Sequence, residues 1–84
     1  MARFYFHLSE GQNVLIDSEG VELPDSEAAA RRALDSARDI LSAEILEGRI
    51  PLDMHLAVED ECGLTVHRLP FAQAVQITHP PGEG

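Results

Sequence analysis

Basic residues are scarce in this sequence: six arginines and lysines stand against fifteen aspartates and glutamates, for a net charge of −9. A chain this acidic repels phosphate backbones, so we expect no direct binding to nucleic acid.

Cysteine is almost absent, and Cys62 alone cannot form an internal disulfide. No run of 18 apolar residues is present, which predicts no membrane span, and residues 1–16 lack the apolar stretch of a signal peptide. We therefore expect a cytoplasmic protein.

The sequence also lacks the common signatures of catalysis. Its serines fall in predicted turns or on the predicted helix, and none lies in a nucleophile elbow. Gly11 and Gly20 stand alone, so there is no glycine-rich phosphate loop. Cys62 lies in an acidic turn, where neighbouring carboxylates disfavour the reactive thiolate. We expect no catalytic residues and no enzymatic activity.

Alternating apolar and polar residues predict four strands, over residues 3–8, 13–17, 53–60 and 64–69. A long helix should begin after the N-cap Asp25 and end at Gly48, because Pro51 cannot continue it. Phe71 and Val75 should close the core. The apolar stripe of the helix is expected at Ala30, Leu34, Ala37, Leu41 and Ile45.

This ββαββ pattern predicts an α+β fold, a four-stranded antiparallel sheet with one long helix on one face. Both the strand orders 2-1-3-4 and 1-2-4-3 are possible. We prefer 2-1-3-4, because the first strand is the most apolar and suits a central position. The third and fourth strands should place Val58 opposite Val66 and Ala57 opposite His67. The 84 residues suffice for one small domain, assigned to 1–78, with a flexible tail over 79–84.

Six carboxylates should meet at one end of this sheet, where two predicted turns and the start of the helix come together. We call this set the acidic end and expect it to bind a basic partner protein. A cation site is a weaker alternative, because the spacing does not match a calcium loop. The acids could also serve only turns, helix capping and solvation. The acidic end comprises Asp17, Glu19, Glu22, Glu59, Asp60 and Glu61.

Two further sets lie on the predicted open face of the sheet, away from the helix. His7, His55 and His67 would fall on neighbouring strands, where three imidazoles could hold zinc and leave a fourth position open. The alternative is that they are ordinary polar residues, with no cofactor bound. Tyr5, Ala57 and Thr65 on the same face suggest a homodimer contact, because a core this small gains from association.

Three segments, ARFYFHL, DSEGVELPD and LPFAQAV, carry a family resemblance over residues 2–75. In this order and spacing they resemble a family of short uncharacterised proteins from rhizobia and related alphaproteobacteria. The resemblance implies no particular activity, and His55 and His67 lie outside its pattern. A looser similarity, of topology only, is to the partner-binding domains of HicB-like antitoxins. The family pattern would mark Phe6, His7, Asp17, Gly20, Glu22, Pro24, Leu69, Pro70 and Phe71.

Together these observations favour a small acidic interaction module that forms a homodimer and binds another protein. One alternative is a metal-binding protein that uses the three histidines. Another is an antitoxin-like regulator that binds a basic partner through the acidic end.

Overall fold

The computed structural model describes residues 1–82 as one antiparallel sheet with a single long helix packed against it. A short 3₁₀ helix, Phe71–Gln73, follows the last strand. In chain order the elements are β1 Ala2–Glu10, β2 Asn13–Leu15, β3 Val21–Leu23, α1 Ser26–Leu46, β4 Met54–Glu59 and β5 Thr65–Pro70.

The sheet has five strands, where the sequence predicts four. The four predicted strands are neighbours in the preferred order, β2-β1-β4-β5, and the fifth strand, β3, pairs with β1. Leu8 pairs with Leu15 near the end of β1, and Phe4 pairs with Val21 near its beginning. Strands β2 and β3 are therefore two halves of one edge, interrupted by residues 16–20. The sequence missed β3 because three residues are too few to show an alternating pattern.

The predicted register between the last two strands is wrong by one residue. Val58 lies opposite His67, and Ala57 lies opposite Arg68, because the ladder shifts between Val58 and Glu59. Such a bulge adds one residue to one strand and turns every later side chain toward the other face.

Helix α1 begins where the sequence places it. The Asp25 side chain accepts a hydrogen bond from the Ala28 N–H at 2.8 Å, which is the expected N-cap contact. At the other end Gly48 has a φ of +86°, and its N–H donates to the Ile45 carbonyl. The helix thus has a defined start and a defined end.

The buried stripe of the helix differs from the predicted one. Ala37 and Leu41 are buried as expected, but the stripe starts at Ala29 and Ala33, and Ile45 is exposed. Three consecutive alanines, 28–30, make the starting position ambiguous in the sequence. Alanines at every fourth position let the helix backbone lie close to the sheet.

The core lies between the helix and the sheet, and the 3₁₀ helix closes one side of it. Phe71 is fully buried, as predicted. The second buried residue of this segment is Ala74, whereas the predicted Val75 is exposed. The Arg38 Nε donates to the Ala74 carbonyl at 2.8 Å and ties this closing segment to the helix. The buried apolar residues are Phe4, Ala29, Ala33, Ala37, Leu41, Met54, Leu56, Val58, Leu69, Phe71 and Ala74.

Residues 75–82 form no helix or strand and are exposed. The tail predicted over 79–84 also includes residues 83 and 84, which lie outside the described residues. Within residues 1–82, α1 is the only long helix, and it is not apolar enough to cross a membrane.

Candidate functional site

The interruption between β2 and β3 is organised by the carboxylate of Asp17. Its Oδ2 accepts the Phe6 backbone N–H at 3.1 Å, and its Oδ1 accepts the N–H groups of Glu19 and Gly20 at 3.2 and 3.1 Å. Burial raises the pKa of Asp17, but the hydrogen bonds from Phe6, Gly20 and Glu19, with the nearby His7, outweigh this and hold the pKa below its ordinary value. Asp17 is thus bonded inside the fold rather than free for a partner.

Gly20 completes this turn with a close backbone approach to β1. Its φ is +72°, and a Cβ atom built on it would lie 2.9 Å from Arg3 Cγ, Phe4 O and Tyr5 Cε2. Only glycine fits such a position without displacing its neighbours. The turn is therefore packed against β1 and is not a loose loop.

The His7 side chain, on β1, lies between this turn and the neighbouring strand β4, and both of its ring nitrogens have partners. Nδ1 accepts the Asp17 backbone N–H at 3.1 Å, and Nε2 lies 3.2 Å from Glu59 Oε1. The ring is mostly buried, with 13% of its side chain exposed. Because Nδ1 accepts a hydrogen bond, the neutral ring carries its proton on Nε2 and donates it to Glu59. The Asp17–His7–Glu59 chain joins the sheet edge to β4.

The structure does not bring the three histidines together. His55 lies opposite Pro70 with its Nε2 3.0 Å from Arg68 Nη1, while His67 lies opposite the buried Val58. The bulge moves His67 to the helix side of the sheet, whereas the sequence places it on the open face. Among residues 1–82 no three histidine, cysteine, aspartate or glutamate side chains are grouped closely enough to hold a metal ion.

Three members of the acidic end, Glu19, Glu22 and Glu61, contact Arg3. The Arg3 Nη1 donates to the Glu19 carbonyl at 2.7 Å, Nη2 lies 3.3 Å from Glu22 Oε1, and the backbone N–H donates to Glu61 Oε1 at 3.3 Å. The two predicted turns therefore share one end of the sheet. The sequence did not single out Arg3, because a lone arginine in a strand gives no indication of its partners.

Most carboxylates of the acidic end are engaged within the chain. Asp60 Oδ1 accepts the N–H groups of Cys62 and Leu64 at 2.9 and 3.0 Å, which shapes the turn between β4 and β5. Asp17 and Glu59 are bonded as described above. Within residues 1–82, Glu19 is the one member of the set whose carboxylate makes no hydrogen bond or ion pair. The acidic end is therefore largely a structural network.

The predicted dimer residues share one face of the sheet. Tyr5 and Thr65 both lie opposite Glu59, one on each neighbouring strand. Ala57 lies two residues before Glu59 on β4. Directly opposite residues point to the same face, and so do residues two apart on one strand. Tyr5 and Ala57 are only half-buried, and Thr65 is exposed.

An apolar surface that the sequence did not single out lies at the other half of the same edge. Every residue of β2 is exposed, and Ile16 continues the exposed run. A groove of about 280 Å³ opens beside β2, lined by Leu8, Glu10, Asn13, Val14, Leu15 and Met54. Arg49, just past the helix, pairs with Glu10 at 2.9 Å on one side of the groove. We call Leu8, Val14, Leu15, Ile16 and Met54 the apolar edge.

The fold and these surfaces define a class: an α+β domain with one long helix packed on an antiparallel sheet, and with an apolar sheet edge. Over residues 3–72 the chain matches the family described as a domain of unknown function (DUF6894). The match covers most of the chain, so the protein belongs to this family. No curated protein matches the chain, and neither does any solved structure. The expected membership in a family without an assigned activity is confirmed.

Proposed function

We propose that this protein is an interaction module that works as a homodimer, and that the apolar edge is its contact surface. The observation that carries the proposal is an uninterrupted exposed apolar run, Val14, Leu15 and Ile16, at one edge of the sheet. A groove of about 280 Å³ opens beside this run.

The distribution of large apolar side chains supports the same conclusion. Within residues 1–82, seven of them are buried, and ten are exposed. Single exposed aliphatic residues are common on proteins, but an uninterrupted exposed run beside an apolar groove marks an interaction site. Val14, Leu15 and Ile16 form such a run, and Leu15 lines the groove.

The remaining exposed aliphatics are divided between several places. Ile45, Leu46 and Ile50 lie at the end of the helix and just after it, on the side where Arg49 meets Glu10. Leu64 lies in the turn after β4, at the opposite end of the sheet. At the apolar edge, exposed apolar side chains coincide with a groove.

Light scattering coupled to size-exclusion chromatography, at low micromolar concentration, tests the proposal. We expect the mass of a dimer for the wild-type chain and the mass of a monomer for Leu15→Glu. Leu64→Glu is the matched control, because Leu64 and Leu15 are similarly exposed, at 65% and 70%. We expect the Leu64→Glu variant to remain dimeric. A monomeric wild-type chain, or equal effects of the two substitutions, would contradict the proposal.

A further inference from the structure

We propose that two copies join through antiparallel pairing of their β2 strands, around a two-fold axis at Val14. This inference rests on the homodimer proposed above and specifies its geometry. It begins from the outer edges of the sheet, since an unpaired edge strand is a template for pairing with another chain.

Two of the three outer edges carry features that discourage pairing. Strand β5 ends in Pro70, has the exposed Arg68 near that end, and is bulged against β4. Strand β3 has Glu22 at its centre and is followed by Pro24. Proline, charge and bulges are the usual means by which proteins protect strand edges.

Strand β2 is as short as β3, but it contains no proline, no charged residue and no bulge against β1. It consists of Asn13, Val14 and Leu15, is exposed throughout, and is followed by Ile16. Val14, Leu15 and Ile16 are aliphatic side chains, which gain from packing against a neighbouring strand. A second strand along β2 would satisfy its outward backbone groups and cover its apolar side chains.

The apolar edge is also complementary to itself, which a two-fold interface requires. An axis at Val14 sets each Val14 opposite its copy and each Leu15 opposite Asn13 of the partner subunit. Asn13 and Leu15 both line the groove. The Leu15 side chain of each copy is therefore directed toward the groove of the other, so one pairing fills both grooves.

The charge distribution agrees with this arrangement. Each copy carries a net charge of −9, so like-charge repulsion opposes association least when the two acidic ends are far apart. Antiparallel pairing at β2 directs the two acidic ends in opposite directions, because β3 and the acidic end lie along the other half of the edge. Near the groove, Glu10 is already paired with Arg49 at 2.9 Å.

Disulfide trapping tests the register directly. The variant Val14→Cys is made together with Cys62→Ser, so that the new thiol is the only one. Residues opposite each other in an antiparallel pair have Cα atoms about 4.5–5.5 Å apart, within the range that a disulfide spans. Under mild oxidation at low micromolar concentration, we expect a cross-linked dimer on non-reducing gels. The control is Leu64→Cys with Cys62→Ser, whose cross-linking should be at least tenfold slower.

The outcomes separate the two proposals. A dimer by light scattering whose Val14→Cys variant cross-links no faster than the control overturns the β2 pairing and leaves the homodimer standing. Faster cross-linking of Ile16→Cys than of Val14→Cys overturns the register, since the axis would then lie elsewhere. A wild-type chain that is monomeric by light scattering overturns both proposals.

Discussion

The Asp17 carboxylate accepts the Phe6 backbone N–H at 3.1 Å, at the position where a continuous edge strand would offer a carbonyl oxygen. One side chain thus replaces a strand partner and, with its second oxygen, shapes the turn that follows. Because three backbone N–H groups depend on it, we expect Asp17→Asn to lower the free energy of unfolding by about 1–2 kcal/mol, allowing for partial solvent access.

Urea unfolding measures this change. Asp25→Asn is the matched control, because it removes the same charge but leaves an N-cap that asparagine serves equally well. We expect its effect to stay within about 0.5 kcal/mol. Equal losses for the two variants would mean that Asp17 has no special role.

The same residue predicts a pH dependence of stability. Its pKa in the folded chain lies below the ordinary value of 3.8, so its contribution is fully present above that value. As the pH falls through the lower folded pKa, the contribution is lost. The difference in unfolding free energy between wild type and Asp17→Asn should stay constant from pH 7 to about pH 5 and shrink below about pH 4. A difference that grows on acidification would contradict the assigned hydrogen bonds.

Gly20 and Gly11 provide a comparison between a crowded and an open glycine. Both have positive φ, +72° and +60°, but a Cβ on Gly11 would meet nothing within 4 Å. Gly11→Ala should cost about 1 kcal/mol from its backbone conformation alone. Gly20→Ala should cost at least about 1 kcal/mol more, because its neighbours must move. Chemical denaturation of the two variants checks the ranking, and the reverse order would refute the close approach.

Phe71 should be the most sensitive position of the closing segment. It is fully buried, whereas Val75, four residues later, is 37% exposed. Phe71→Ala should cost about 3–5 kcal/mol, and Val75→Ala well under 1 kcal/mol. If Phe71→Ala does not fold, the milder Phe71→Leu gives the measurement by urea unfolding. A larger loss for Val75 than for Phe71 would show that the segment closes the core differently.

The His7 ring should adopt a single tautomer when neutral. The Asp17 N–H at Nδ1 and Glu59 at Nε2 require the proton on Nε2. Long-range nitrogen–proton correlation spectra of ¹⁵N-labelled protein distinguish the two tautomers directly. Glu59→Gln should retain the tautomer, because the amide oxygen still accepts the bond. A neutral ring protonated on Nδ1 would exclude the Asp17 contact.

Local signals in the sequence were sufficient for much of the fold. Asp25 and Gly48 mark the helix ends through capping preferences that depend only on nearby backbone groups. Alternating apolar and polar residues predict β1 and β4 as strands. The two strands are paired in the structure, as the preferred strand order predicts. These features depend on a few neighbouring residues, which is why they can be predicted from a single sequence.

The features that sequence reasoning missed depend on contacts between distant segments. Strand β3 exists because Val21 meets Phe4, and the bulge at Val58 exists because of pairing with β5. Arg3 acquires its role from Glu19, Glu22 and Glu61, up to 58 residues away. The apolar edge could not be predicted, because an apolar strand in a sequence is usually interpreted as buried, and the exposure of β2 within residues 1–82 is visible only in the structure.

The five residues between β2 and β3 also limit how far the sheet can grow. A strand added along this edge can pair only over the length of β2. Beyond β2, the next N–H group of β1 that faces the edge, that of Phe6, already donates to Asp17. Fibrils need a long edge that each added chain renews. A free edge that stops after three residues offers an added chain a ladder too short for that kind of repeated stacking.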